Sequence, residues 1–305
     1  MRPEHSPLRP GARVALVGTS GPPPPGQLDR AVMQLKEWGL DPVVGPNSEA
    51  RHPRASYLLG TDRQRADDLQ WAWCDPEIDA VFCLRGGYGA ARVLDLLDVD
   101  ALRAAGPKPI FGSSDVTAIA EFWHEQLACG FWFAPMMTSA ALLDDDVAKA
   151  GLAAAIFEPA EGRAFTSPYA RSISRGQASG PLIGGNLAVL AMTSGARGRP
   201  PLDNTGCLAL IEDVTEPTYK IDGFLTSLLR AGWFEGVAGI ALGSWRDCGP
   251  LDEIRALVEE LLVPLGVPIV WELGFGHVAG AHAIPLGATA TLFADDAPRL
   301  VLAGG

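Results

Sequence analysis

The chain has 305 residues, 48% hydrophobic and 20% charged, with a formal net charge of −12 at pH 7. That length suits two domains better than one, and the composition is globular rather than disordered. The acidic balance argues against a nucleic-acid partner, which needs a basic surface, and against anionic membrane surfaces.

The opening stretch, MRPEHSPLRPGARVALVG, has prolines and charges where a secretory leader would carry an apolar core. The best apolar run for a membrane span, ELLVPLGVPIVWEL, is broken by Pro264 and Pro268. Five scattered cysteines, at 74, 83, 129, 207 and 248, never form Cys-x-x-Cys and read as small buried hydrophobes in a reducing compartment. A soluble cytoplasmic protein without membrane attachment is expected.

In chain order, ARVALVGTS reads as a buried strand that enters the proline-rich turn GPPPPG. A helix over QLDRAVMQLKEWG follows, with Leu28, Val32, Leu35 and Trp38 on one face and Gly39 as its stop. DPVVGPN is a short strand, and DRQRADDLQWAWCDP a helix with Leu69 and Trp73 inward and its charges outward. IDAVFCLRGGYG is a strand running into a glycine turn, with a helix over AARVLDLLD after it. PKPIFGSS and DVTAIAEFWHEQLA repeat the strand-turn-helix scheme. Such repeats predict an α/β, Rossmann- or flavodoxin-like domain over 1–140, built on a parallel sheet. Its ligands would sit at the carboxyl ends of the strands, where the turns at Gly18–Gly26, Arg85–Gly89 and Gly112–Asp115 gather.

Residues 141–180 change character, from an alanine-rich helix (DDDVAKAGLAAAIFEP) to the polar, turn-rich AEGRAFTSPYARSISRGQASG, and read as a connecting segment. Residues 181–305 carry the strands GCLALIEDV, VAGIALGSW, VPIVWEL, ATATLFADD and RLVLAG, with helices around Lys220–Ala231 and Leu251–Leu262. The closing strands follow one another directly, so a mixed, barrel-like α/β domain is expected.

The stretch PIFGSSDVTA has two readings. A serine ahead of a helix is ordinarily an N-cap, whereas a nucleophile on a strand-to-helix turn needs small neighbours. Gly112 stands two before Ser114 and Phe111 two before Ser113, so the nucleophile reading favours Ser114. Val116 occupies the place of the second glycine in Gly-x-Ser-x-Gly, so the match to that pattern is partial. RGGYG, Arg85–Gly89, is either a tight turn or a set of amides facing an anion. It fails as a dinucleotide fingerprint because Ala91 and Arg92 follow it, and no phosphate loop of the Walker type exists.

Five histidines are available as a base for a serine. His5 lies in the terminus, His52 in a polar loop, and His124 mid-helix with Ala128 where a zinc helix would need a second histidine. Of the remaining two, His277 and His282, His277 follows Gly276 in a glycine-flanked loop just past an apolar strand. Glu212 and Asp213 end the apolar strand LALIEDV, as cap or as cleft carboxylates. No metal-spaced His/Cys cluster is present, so no metal or cofactor is expected.

Six stretches in order resemble the LD-carboxypeptidase family of serine peptidases, which includes the microcin C immunity-type peptidases. They are ALVGTSGP, LRGGYGAARVLDLLD, FGSSDVTA, LIGGNLAVL, LIEDVTEPTYKIDGFLTSL and FGHVAGAHAIPLGATATL. The resemblance implies a Ser-Glu-His triad of Ser114, Glu212 and His277, with an oxyanion hole from backbone amides at Gly86, Gly87 and Asp115. Family members usually carry an aromatic where this chain has Ser113. The implied substrate is a cytoplasmic muropeptide tetrapeptide that loses its terminal D-alanine in cell-wall recycling, with a homodimer as the family's assembly. Arg85 either pairs with a substrate carboxylate or is a surface residue.

Two other readings compete. An immunity-type peptidase would cleave an aminoacyl-nucleotide amide and need an aromatic platform, for which Tyr169 is the only tryptophan or tyrosine between 141 and 180. A non-catalytic small-ligand-binding protein would grip an anion with the glycine turns and be indifferent to Ser114→Ala.

Overall fold

The computed structural model describes residues 6–195 and 203–304; His5 lies outside them. In chain order the strands are β1 (Arg13–Val17), β2 (Asp41–Val44), β3 (Ala80–Cys83), β4 (Ile110–Gly112), β5 (Phe131–Phe133), β6 (Ala164–Phe165) and β7 (Arg171–Ser174). They continue as β8 (Gly176–Asn186), β9 (Leu208–Val214), β10 (Gly239–Arg246), β11 (Ile269–Trp271), β12 (Ile284–Leu286), β13 (Thr289–Ala294) and β14 (Arg299–Leu302). The chain divides into two compact units. One runs to Pro159 and takes in Ala283–Pro285, and the other comprises Ala160–His282 and the residues from Leu286 onward.

The first unit is built on a sheet ordered β12-β5-β4-β3-β1-β2, in which β1 to β5 pair in parallel. All of β3, β4 and β5 and four of the five residues of β1 are buried. Strands apolar on both faces need cover on both sides, which is why helices alternate with them. Phe82, Phe111 and Trp132 lie in register across β3, β4 and β5 and stack with ring centroids 4.5 and 5.7 Å apart. Because β3 and β4 are neighbours, their carboxyl ends place the turns after Cys83 and Gly112 side by side.

Two expectations change here. The helix anticipated over AARVLDLLD is a pair of 3-10 turns, Ala90–Arg92 and Leu94–Leu96. Asp98 then caps a separate helix, Val99–Ala105, by accepting from the Ala101 amide, and the extended Leu97 breaks the run. In the helix Asp62–Cys74, opened by a Thr61/Gln64 capping box, Arg65 and Asp68 are buried rather than outward. Their partners are loops, which helical periodicity does not reveal.

The second unit is a mixed eight-stranded sheet ordered β6-β14-β13-β8-β9-β10-β11-β7. β8 carries the change of direction. Its residues 176–181 pair antiparallel with β13 and its residues 182–186 pair parallel with β9. Within the parallel part, Gly184 and Gly185 sit at φ 109° and 143°, and glycine is needed beside β9 because a Cβ on Gly184 would strike the Leu210 carbonyl. The sheet is therefore mixed, with β8 joining its antiparallel and parallel parts, and it remains an open row with β6 and β7 as its edges. The helices Leu187–Thr193, Thr218–Arg230 and Leu251–Leu262 bury Leu190, Leu225 and Ile254 against Ile211 and Leu242 of the sheet.

The polar stretch expected to be turns holds β6, β7 and the start of β8. These strands are half exposed at or near a sheet edge, so burial does not enforce an apolar alternation in them. No helix among the described residues is long and apolar enough to cross a membrane.

Candidate active site

Ser114 follows β4 at the head of a 3-10 turn, Ser114–Val116, which runs into the helix Thr117–Phe122. Its φ is 58°, the left-handed region that costs a side-chain-bearing residue roughly 1–2 kcal/mol. Ser113 stands at the cap position with extended backbone but makes no side-chain cap bond. The capping reading therefore does not describe this turn, and the strain points to function. Gly112 permits the fold-back, because a Cβ there would lie 3.1 Å from Cys83 Cβ and 3.2 Å from Val116 Cγ1.

The glycine turn lies directly against this serine. A Cβ on Gly86 would sit 2.9 Å from Ser114 Cβ, 3.0 Å from its Oγ and 3.5 Å from the Asp115 amide nitrogen. The amides of Gly86, Gly87 and Asp115 donate to no group among the described residues. Free amides around a serine hydroxyl make a place where an oxyanion would be stabilised. The Asp115 carboxylate turns the other way: it is buried and accepts from the Ala90 amide at 2.8 Å, tying the two turns together. Burial raises its pKa, opposed by hydrogen bonds from Ser20 and Ala90 and by the charge of Arg65.

Arg65 is the residue that sequence reasoning missed. Its guanidinium is buried and donates to the carbonyls of Thr19, Leu59, Gly60 and Gly89 and to Asp62 Oδ1 at 2.6 Å. One side chain thus holds the loop after β1, the loop before its own helix and the glycine turn after β3. Arg85 is exposed and donates from Nη1 to the Pro22 carbonyl at 2.7 Å, which commits part of its guanidinium to the loop after β1.

The second unit, taken by itself, holds a histidine–carboxylate pair. His277 Nδ1 lies 2.6 Å from Glu212 Oε2; Glu212 is fully buried, and about a quarter of the His277 side chain is exposed. Glu212 sits in β9 among glycines: a Cβ on Gly243 would come within 2.9 Å of Glu212 Cβ, and one on Gly276 within 2.6 Å of its Oε2. His282 clips the same loop at its base, its amide donating to the Gly274 carbonyl and its Nε2 to the Thr166 carbonyl. That accounts for the second histidine as structure.

Asn186 orders the carboxylates. Its Oδ1 accepts from the Val189 amide as the cap of the helix Leu187–Thr193, which orients the amide so that Nδ2 donates to Glu212 Oε1 at 3.2 Å and Asp213 Oδ1 at 2.9 Å. Asp213 also accepts from the amides of Ala188 and Val214. Burial, then the neighbouring Glu212, pushes the Asp213 carboxyl up to about 7. For His277, burial favours the neutral ring, but the charge and hydrogen bond of Glu212 outweigh it, so its pKa is raised. With Nδ1 donating to Glu212, Nε2 is left as the basic nitrogen.

Comparison with known proteins adds three findings. The family model described as the LD-carboxypeptidase N-terminal domain matches residues 14–132, and that of the LD-carboxypeptidase C-terminal domain matches residues 179–292. A Streptomyces coelicolor protein named as a carboxypeptidase is 46% identical over 94% of this chain and 92% of its own, and the murein tetrapeptide carboxypeptidase of Pseudomonas aeruginosa is 33% identical over 92% of each. The crystal structure of an MccF-like protein from Bacillus anthracis superposes with a TM-score of 0.85 at 20% identity, covering 98% of this chain and 99% of that one. At that identity the likeness concerns fold alone.

Proposed function

The chain belongs to the LD-carboxypeptidase family and is a peptidase; from that premise we propose that it releases the terminal D-alanine of muropeptide tetrapeptides with a triad of Ser114, Glu212 and His277. The observation that carries the reading is Ser114 held at φ 58° against Gly86, beneath amides with no other acceptor. The murein tetrapeptide carboxypeptidase named above supports the choice of substrate.

In this reading His277 Nε2 takes the Ser114 proton, while Glu212 holds the ring in the Nδ1–H tautomer and stabilises the cation that forms. Ser114 Oγ attacks the scissile carbonyl, and the amides of Gly87 and Asp115, beside Gly86, receive the oxyanion. His277 then protonates the leaving D-alanine amine, and water, activated by the same ring, releases the acyl group. The five cysteines carry no disulfide and fit the reducing cytoplasm in which recycling would take place, with a homodimer as the assembly expected of the family.

The test is mass spectrometry of the enzyme incubated separately with a tetrapeptide muropeptide and an aminoacyl-sulfamoyl-adenosine. Loss of D-alanine from the first supports the proposal. Turnover of the nucleotide alone would transfer the site to the immunity-type reaction, and turnover of neither would sink both.

Gly86→Ala gives a second check. Gly86 is outside the left-handed region, so alanine meets no backbone penalty; the new methyl would press on the Ser114 side chain. Displacement of a nucleophile by about an ångström costs on the order of 100-fold. We expect that loss in kcat/KM, with a thermal midpoint within a few degrees of wild type. Full activity in a folded Gly86→Ala enzyme would separate Gly86 from the reacting serine.

A further inference from the structure

The loop between β2 and the helix Asp62–Cys74 carries an unassigned cleft of about 410 Å³, whose lining includes Pro22, Arg51, His52, Arg54, Ser56 and Leu58. In a chain of net charge −12, this cleft holds two exposed arginines with no carboxylate partner among the described residues. Glu49, two residues before Arg51, does not line the cleft and pairs with neither. Elsewhere in this unit Arg30, Arg63, Arg65, Arg92 and Arg103 are each spoken for by an aspartate.

The loop is built rather than loose. The Gly60 amide donates to the Ala50 carbonyl at 3.0 Å, and Arg51 bridges Leu59 at the base. At the tip, His52 Nδ1 accepts from the amides of Arg54 and Ala55 at 3.1 and 3.0 Å, so its ring proton sits on Nε2 as a further donor. The cleft also shares walls with the bed of Ser114. Pro22 lines it and has its carbonyl held by Arg85, while the neighbouring Gly21 amide donates to the Gly86 carbonyl. Leu58 lines it too, and a Cβ on Gly89 would lie 2.8 Å from Leu58 Cδ2. Tyr57 of this loop and Tyr88 of the glycine turn, both exposed, meet edge-on with centroids 6.0 Å apart.

We propose that this cleft is an anion subsite, in which Arg51, Arg54 and the His52 Nε2–H receive a carboxylate of the peptide substrate remote from the scissile bond. The proposal rests on the peptide substrate argued above. Two guanidinium groups in a concave site attract carboxylates by charge-assisted hydrogen bonds and by the focused local field, despite the negative total. The contact is made equally in ground and transition states, so it acts on KM and leaves kcat alone.

The experiment compares wild type with Arg51→Gln/Arg54→Gln on a tetrapeptide muropeptide and on the same peptide with its non-terminal carboxylates amidated. The expected result is a KM about tenfold higher for the double variant on the carboxylate peptide, with kcat within twofold and a flatter salt dependence. On the amidated peptide the two enzymes should agree. An unchanged KM, or an equal loss on both peptides, would overturn the subsite. Calorimetry of the carboxylate peptide on Ser114→Ala, with and without the arginine changes, separates this from the function. Binding that needs the arginines in a protein whose wild type does not cleave the peptide would keep the subsite and refute the peptidase substrate. Cleavage by wild type with binding indifferent to the arginines would do the reverse, and absence of both binding and cleavage would refute the two together.

Discussion

Ser114→Ala should lower kcat/KM on the tetrapeptide muropeptide by roughly 10⁴- to 10⁶-fold, the range seen when a triad nucleophile is removed. Each tenfold is about 1.4 kcal/mol of barrier, so losing the covalent path would raise the barrier by roughly 6–8 kcal/mol. The folded state should be nearly indifferent. Ser114 Oγ caps no helix, and alanine inherits the same left-handed backbone at φ 58°, so the strain is unchanged. Ser113→Ala is the matched control. Ser113 is buried and its amide, not its hydroxyl, donates to Met136 Sδ, so activity should stay within about threefold. Single-turnover kinetics with unfolding curves for both variants decide the matter. Turnover surviving in Ser114→Ala, or lost in Ser113→Ala, would remove Ser114 from the role.

The serine side of the site was more legible in the sequence than its supports. β1, β3 and β4 are short apolar runs that lead into glycine- or serine-bearing turns, and parallel strands must deliver those turns to one end of the sheet. Gly112 ahead of Ser114 was readable for the same reason, as a residue that a sharp turn requires. The motifs around Glu212 and His277 were readable only as a set, since a carboxylate ending a strand and a histidine in a loop each have common structural explanations.

What the sequence hid depends on distant partners. Arg65 reads as one more charge on a charged helix face, and only the carbonyls of Thr19, Leu59, Gly60 and Gly89 show why it turns inward. Asn186 reads as a helix cap, which it is; its second task, bridging Glu212 and Asp213, follows from the parallel pairing of β8 with β9 that aligns Asn186 with Glu212. β6 and β7 take their strand form from neighbours far along the chain, through Leu300–Phe165 and Trp271–Arg171 pairings, not from their own polar residues.

The histidine–carboxylate pair carries the other large expectation. A general base must be neutral, and the pKa of His277 is raised above its ordinary 6.5, so kcat/KM should fall as pH drops through a value above 6.5. Glu212→Gln removes the charge that outweighs burial. The acid limb should then move to lower pH, while kcat falls by roughly 10³- to 10⁴-fold because the tautomer and the cation lose their support. Stability should change in a linked way. The raised His277 contributes stability that is complete below pH 6.5 and lost as pH rises through its folded value. Asp213, raised from 3.8 to about 7, prefers the protonated form in the native state, so stability falls between those values as pH rises. Both slopes have the same sign, and both depend on the Glu212 charge. The wild type should therefore be less stable in urea at pH 8 than at pH 6 from these two groups, and Glu212→Gln should flatten that dependence. An acid limb that stays in place in Glu212→Gln would mean that His277 is not the titrating base. A limb that moves without any change in the stability slope would assign the shift to the substrate complex rather than to the pair in the free enzyme.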